Sequence, residues 1–365
     1  MNKLRFLFIL IAAAAISLIT GCTHNPVGNN PQLNLSGVFK PDGLSARSVK
    51  RFTLFEGSLY AATYRGIYVQ PLNNTAKSWT LLGLKNKQIF GIAFLSSDSM
   101  LVAAVDSSGF GFGDKTLFLT VNQGQSWQPF QNGYGGSKIT AYAGGLVTLS
   151  RQGGDTLFAD GGACCMIARS IDGGRSWNIV FGAPYWGYYG GGIERIYADP
   201  YHEGRIISVG SNGFVISFLM ISKDYGLTWS KKDLYGSSLC TDVITQPGNL
   251  NNMLISFSPS YTDSIRISKS TDDGKTWKGV YNKANISALV QNTQDKRIVY
   301  ASGLNDSQTL FFAASNNFGD TWQTVTDTTG PTGITTNDLV AATVNGQEVL
   351  FFGTNKGVYE YTFSK

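Results

Sequence analysis

From about residue 40 onward, short apolar runs alternate with turn residues. Residues 195–235 show the pattern well: RIYAD, RIISVG, FVISFLMIS and TWSKKDLY are rich in β-branched and aromatic side chains and are separated by Pro, Gly, Asn and Asp. Runs of this length between turn signals predict β-strands, four of them in this stretch. The last opens on Trp229, and that tryptophan closes a phrase written several times along the chain. It reads SIDGGRSW at Ser170–Trp177, SKDYGLTW at Ser222–Trp229, STDDGKTW at Ser270–Trp277 and SNNFGDTW at Ser315–Trp322. TVNQGQSW, ending at Trp127, fits with Asn122 in the acidic place, and a worn copy, LNNTAKSW, ends at Trp79.

Successive tryptophans of the phrase stand 48, 50, 52, 48 and 45 residues apart. A second signal agrees. Thr63-Tyr64-Arg65-Gly66-Ile67-Tyr68 returns as Thr354-Asn355-Lys356-Gly357-Val358-Tyr359, 291 residues or six repeat lengths later. A period near 48 with four strands per unit is that of a β-propeller blade. Seven units are expected, and the seventh stops at Lys365, short of its own Trp. The expected fold is therefore all-β: a seven-bladed β-propeller of four-stranded antiparallel blades over residues 33–365, the last blade closed by an N-terminal strand, Leu33–Phe39. Closure of this kind covers the open edges of the first and last blades.

Each position of the phrase has a local task. Asp172, and by position Asn122, Asp224, Asp272 and Asn317, can accept hydrogen bonds from the N–H groups of its own turn. Gly174, like Gly226, Gly274 and Gly319, permits the positive φ of a tight hairpin. Trp177, Trp229, Trp277 and Trp322 open the outer strand and can bury a large area between blades. The phrase, Ser-x-Asp/Asn-x-Gly-x-Ser/Thr-Trp, resembles the Asp-box, or bacterial neuraminidase repeat. The resemblance spans roughly residues 40–363. It implies a propeller like those of sialidases, xyloglucan hydrolases, sortilin-type receptors and photosystem assembly factors. In those families the box is architectural, so a building role is expected for it here.

Composition refines this picture. With 42% hydrophobic and only 15% charged residues, the chain is far too apolar for disorder. Its basic residues are scattered rather than clustered, which excludes a nucleic-acid footprint. The first residues depart from the strand pattern. Lys3 and Arg5 precede LFILIAAAAISLI, and Ile19-Thr20-Gly21-Cys22 follows. The apolar run is too short for a membrane span and ends on a small residue before Cys, which resembles a bacterial lipobox. That resemblance implies a signal peptide over 1–21, lipidation of Cys22 and a flexible tether over 22–32. The expected location is the bacterial cell envelope, the membrane being one partner through the lipid on Cys22. The remaining thiols, Cys164, Cys165 and Cys240, are odd in number, so they cannot all pair. Buried free thiols or one bond to Cys240 stay open.

Strand alternation sorts the loops. The repeat turns join third to fourth strands and mark one face; second-to-third turns and the connections between blades lie on the other. In propellers of the resembled families that opposite face is the usual ligand side. On it fall Tyr64, Arg65, Phe110, Phe112, Tyr134, Tyr185, Trp186, Tyr188, Tyr189, Glu194, Arg195 and Tyr261. Trp186, within PYWGYYGGG, is the only Trp outside the repeat. Aromatic rings among glycines, with Asp and Asn nearby, suit stacking on sugars; packing over the channel mouth is the plainer alternative. A sialidase would need three arginines and an early Phe/Tyr-Arg-Ile-Pro motif, and the nearest string, Tyr64-Arg65-Gly66-Ile67, lacks the proline. Xyloglucan hydrolases use two facing propellers, against one here. Asp106, Asp114, Asp160 and Asp263 are conceivable glycosidase carboxylates. His24 and His202 make neither a metal site nor a triad. The expectation is a monomeric binding or scaffold module without cofactor or metal. Its ligand is an envelope protein or glycan, with a glycan-active enzyme or a photosystem-assembly-factor-like protein as the alternatives.

Overall fold

A computed structural model of the chain describes residues 32–73, 78–106, 116–130, 133–134, 137–138, 146–148, 154–160, 166–182, 192–212, 216–235, 239–258 and 264–364. Seven four-stranded antiparallel sheets form the blades. Blade 4 is typical, with strands Gly192–Ala198, Ile206–Asn212, Ile216–Ser222 and Ser230–Tyr235. The innermost strands are Val49–Phe55, Lys87–Phe94, Leu146–Thr148, Gly192–Ala198, Cys240–Gln246, Asn285–Gln291 and Thr336–Val344. Each lies against the next, and the seventh lies against the first. A straight solenoid would leave those two apart, so the fold is a closed seven-bladed β-propeller. A short hairpin, Gly133–Tyr134 with Ser137–Lys138, adds to the connection between blades 2 and 3.

The repeat turns are built from their own side chains. In blade 3, Asp172 Oδ1 accepts the Ser176 N–H and the Ser170 hydroxyl, each at 2.8 Å, and Oδ2 accepts the Ser176 hydroxyl at 2.5 Å. Ser170 Oγ in turn accepts the Gly174 N–H at 2.8 Å, and the Trp177 indole donates to the Gly174 carbonyl at 2.9 Å. Blades 4 and 5 repeat the set around Asp224 and Asp272. Asn122 and Asn317 substitute without loss, because Nδ2 donates to the Ser126 or Thr321 hydroxyl where Asp would accept. Hydrogen bonds from the Thr228 and Thr276 hydroxyls and N–H groups hold the Asp224 and Asp272 carboxyls down to about 2. Gly174 has φ +86°, and a Cβ there would sit 2.7 Å from Leu101 of blade 2. Trp177, 3% exposed, packs between Leu101 and Leu117 of blade 2 and Leu157 of its own blade. The turns thus weld each blade to the one before it.

The seam between blades 7 and 1 closes as expected but in a different place. The outer strand of blade 7 is Gly37–Gly43, antiparallel to Gly357–Phe363, whereas the sequence pattern suggested Leu33–Phe39. Gly37 explains the shift: any Cβ there would meet the Thr362 carbonyl at 2.4 Å and the Tyr361 ring at 2.6 Å. Leu33 and Leu35 pack below the strand instead, against the blade 6–7 core. Phe39 joins Tyr361, Phe352 and Phe312 at ring separations of 4.7, 5.5 and 6.1 Å. The Tyr361 hydroxyl donates to the Leu35 carbonyl at 2.5 Å and the Ser364 N–H to the Ser36 carbonyl at 2.7 Å.

Beside this seam a cavity of about 310 Å³ is lined by Leu33, Leu35, Asn292, Tyr300 and Glu348. Burial raises the Glu348 carboxyl to about 7, against the pull of the Thr293 N–H and Lys296. In the unfolded chain a glutamate titrates near 4.3. Between those values the folded state holds a proton that the unfolded state releases, so this group's effect is to lower stability as pH rises through the window. Glu348→Gln is expected to melt above the parent at pH 8 and level with it at pH 5, as read by thermal unfolding at both pH values.

Candidate functional site

All inner strands run from the interblade connections toward the first-to-second turns, and the repeat turns lie at the latter end. Near its start each described inner strand except that of blade 3 breaks register with its neighbour. The breaks fall between Val49 and Arg51, Ile89 and Gly91, Ile193 and Arg195, Cys240 and Asp242, Ile286 and Ala288, and Thr336 and Asp338. One extra residue per strand bends the backbone and re-aims the side chains that follow. The residue pairs at these bulges ring the end of the channel opposite the repeat turns: Lys50-Arg51, Phe90-Gly91, Glu194-Arg195, Thr241-Asp242, Ser287-Ala288 and Asn337-Asp338.

Two of the pairs clamp the following blade in the same way. The Thr241 hydroxyl donates to the Ile286 carbonyl at 2.8 Å, and the Leu289 N–H donates to Asp242 Oδ2 at 2.9 Å. Asn337 Nδ2 donates to the Val49 carbonyl at 2.9 Å, and the Phe52 N–H donates to Asp338 Oδ2 at 2.7 Å. The second oxygen of each aspartate turns inward to Arg195. Arg195 Nε lies 3.1 Å from Asp242 and Nη1 lies 3.2 Å from Asp338, both carboxylates being nearly inaccessible. Blades 4 and 7 stand across the ring, so Arg195 spans the bore. Arg51 of blade 1 crosses it too, Nη2 donating to the Glu194 carbonyl at 2.6 Å.

The electrostatics follow from burial. Burial alone would depress Arg195, but the Asp242 and Asp338 charges outweigh it and raise its pKa. Arg51 is lowered to about 10, first by burial and then by Arg195. Lys50 is lowered to about 8 by burial and by Arg51, partly countered by Glu194. Its ammonium sits over the rings of Tyr64 and Phe90, 4.8 and 4.5 Å from their centroids. Burial raises the Glu194 carboxyl and the Asp242 carboxyl. The channel itself is a cavity of about 1080 Å³, with Arg51 and Arg195 at one end and Tyr201, Gln291 and Lys296 toward the repeat-turn end. Among the described residues, no cluster of three or more His, Cys, Asp or Glu could hold a metal ion.

Of the residues singled out from sequence, Tyr64 and Arg65 form an exposed second-to-third turn on the expected face. Glu194 and Arg195 reach the same end, but inside the bore; Arg195 is held by two aspartates and its side chain is only 22% exposed. Tyr134 lies in the short hairpin. Phe110, Phe112, Tyr185, Trp186, Tyr188, Tyr189, Tyr261, Cys164, Cys165 and the lipobox Cys22 lie outside the described residues. Cys240 is a buried free thiol, so no disulfide forms on it, and burial raises its pKa. Lys50, Arg51, Asp242 and Asp338 were missed. The signal for them existed: aligned by the repeat, VKRF, IERI, CTDV and TNDL place charge at one inner-strand position.

The two faces differ in how their charges are used. On the repeat-turn side Arg205 pairs with Asp199 and Asp273, Lys223 with Asp273, Lys269 with Asp320 and Arg297 with Asp295, while Arg175 donates to the Asp172 carbonyl. Turns and connections of the opposite face carry Arg47, Arg65, Lys85, Lys283 and Lys356, and among the described residues no carboxylate pairs with them.

No model of a known protein family matches the sequence, and no curated protein sequence matches it. Solved structures do resemble it in fold. The GH74 xyloglucanase from Xanthomonas campestris superposes with a TM-score of 0.65 at 16% identity, covering 89% of this chain and 53% of that one. The GH74 enzyme of Niastella koreensis gives 0.67 at 14% identity, over 88% and 53%. YCF48, solved bound to D1 peptide, gives 0.63 at 13% identity, over 92% and 97%. The chain thus spans about half the length of the xyloglucanases and nearly all of YCF48. At such identities the likeness is one of fold.

Proposed function

We propose that the chain is a lipid-anchored propeller of the bacterial envelope, acting as a non-catalytic module that binds a protein or glycan partner on the face opposite the repeat turns. The observation that carries this reading is the charge asymmetry. Arg205, Lys223, Lys269 and Arg297 of the repeat-turn side are held in ion pairs, while among the described residues Arg47, Arg65, Lys85, Lys283 and Lys356 of the opposite face have no carboxylate partner, and Tyr64, next to Arg65, is exposed. Unspent cations next to an aromatic favour a partner bearing acidic groups. The buried carboxylates nearby do not form a hydrolytic pair. Asp242 and Asp338 each give one oxygen to Arg195 and the other to a backbone N–H, so neither is placed to donate or accept a substrate proton.

The competing reading is a glycan-active enzyme on the same face, in line with the xyloglucanase fold likeness. A thermal-shift panel of neutral and acidic oligosaccharides on the 23–365 fragment, with Trp186→Ala alongside, separates the two. Binding to the native state raises the melting temperature by mass action. Shifts by acidic ligands without release of new reducing ends support a binder. New reducing ends would overturn the non-catalytic reading. No shift across the panel would eliminate glycans as the partner and leave an acidic protein.

A further inference from the structure

We propose that the propeller docks on the membrane with its repeat-turn face, through Val121, Ile171 and Leu227 on a zwitterionic lipid surface, and holds the opposite face away from the bilayer. The proposal rests on acylation of Cys22, part of the reading above.

Strand direction fixes where the chain enters the ring. Gly357–Phe363 runs toward the repeat-turn end, and Gly37–Gly43 is antiparallel to it, so Gly37 lies at that end. Ser36 is bonded to Ser364 there, and Leu33 and Leu35 line the cavity beside Gln347 and Glu348, which open the second strand of blade 7 at the same end. Gln32 therefore leaves the ring on the repeat-turn side.

The chain available between lipid and ring is short. Nine residues lie between Cys22 and Gln32, ten residue steps with a reach of at most about 35 Å when fully extended. Inner strands of up to nine residues, at about 3.3 Å per residue, make the ring roughly 25–30 Å tall. To lay the opposite face on the bilayer, the linker would have to climb the whole ring almost taut, losing nearly all its conformational freedom. Laying the repeat-turn face down leaves it slack.

A second observation is independent of the linker. Val121, Ile171 and Leu227, in the repeat turns of three consecutive blades, are 59%, 61% and 62% exposed. Single exposed aliphatics need no explanation. These three share the face from which the chain departs, and an anchor on that side keeps them at high effective concentration near the bilayer, where a weak contact is populated. The described turns of this face carry more carboxylates, Glu56, Asp98, Asp155, Glu203 and the box aspartates, than cations such as Arg175, Lys223 and Lys275, a balance that disfavours anionic headgroups and selects a zwitterionic surface.

Full-length acylated protein in phosphatidylethanolamine vesicles would carry a photo-reactive p-benzoylphenylalanine at Ile171 or Leu227, or at Arg65 or Lys356 on the opposite face. All four positions are solvent-facing turn residues, so the fold is preserved. Lipid adducts at Ile171 and Leu227 are expected at least fivefold above those at Arg65 and Lys356, falling when phosphatidylglycerol is added. Equal yields on the two faces, or an excess at Arg65 and Lys356, would overturn the proposal. Metabolic palmitate labelling runs beside it. Missing label refutes the anchor itself, whereas label present with the wrong face adducted refutes only the orientation.

Discussion

Arg195→Met is expected to destabilise the propeller by about 3–5 kcal/mol at neutral pH, the scale for removing one partner of a buried ion pair. The guanidinium is the shared counter-charge of Asp242 and Asp338, whose side chains are only 2% and 3% exposed. Without it both carboxylates stay buried, with only the more distant charge of Arg51 to offset them. The aspartates cannot simply be deleted in turn, because each also accepts the N–H of an inner strand of the next blade. The deficit is expected to depend on pH in a definite direction. Burial already raises the Asp242 carboxyl in the intact protein, and loss of Arg195 raises it further. A folded-state value above the unfolded one means that stability falls as pH rises through the interval between them. The variant should therefore be closest to the parent near pH 5 and furthest from it near pH 8, as read from urea midpoints. Arg195→Lys should fall between the two, since one ammonium cannot bridge two carboxylates as a planar fork does. An Arg195→Met midpoint equal to the parent at every pH would mean that the bore is not held by this network.

The second large effect is expected at the seam. Deleting residues 33–43 removes the strand that pairs with Gly357–Phe363 and uncovers Tyr361, Phe352 and Phe312. An unpaired apolar edge is a template for another chain, so the truncated fragment should aggregate on size exclusion where the parent elutes as one species. Phe39→Ala tests the same seam without baring the edge. It should cost about 3 kcal/mol, the low end for a Phe truncation, because Phe39 is only half-buried. A truncated chain that remained monodisperse with an unchanged melt would show that the ring closes without its N-terminal strand.

These residues also show what the sequence made legible. The Trp spacing and the return of Thr63–Tyr68 at Thr354–Tyr359 reveal the repeat because blade turns depend on local chemistry, which short patterns record. The Asp172 and Gly174 bonds needed only that phrase. The closing strand was misplaced by four residues because LNLSGVF alternates as well as GVFKPDG. What decides between them is the close approach of Gly37 to Thr362, a contact 325 residues distant in the chain. Glu194 and Arg195 were found as a charged pair at a loop's end, yet their partners lie in blades 1, 5 and 7. The bulge that aims them inward is a property of strand pairing, which no single segment displays. Arg205, 2% exposed between Asp199 and Asp273, was hidden for the same reason.

The proposed working face is the one opposite the repeat turns. The most direct test immobilises the 23–365 fragment and measures which envelope proteins and glycans it retains from solubilised membranes. Two triple variants are compared: Tyr64→Ala/Arg65→Ala/Lys85→Ala on one face and Val121→Ser/Ile171→Ser/Leu227→Ser on the other, both checked for a native melt. The acidic component retained by the parent is expected to be lost from the first variant and kept by the second. Retention that survives the first variant and is abolished by the second would contradict it.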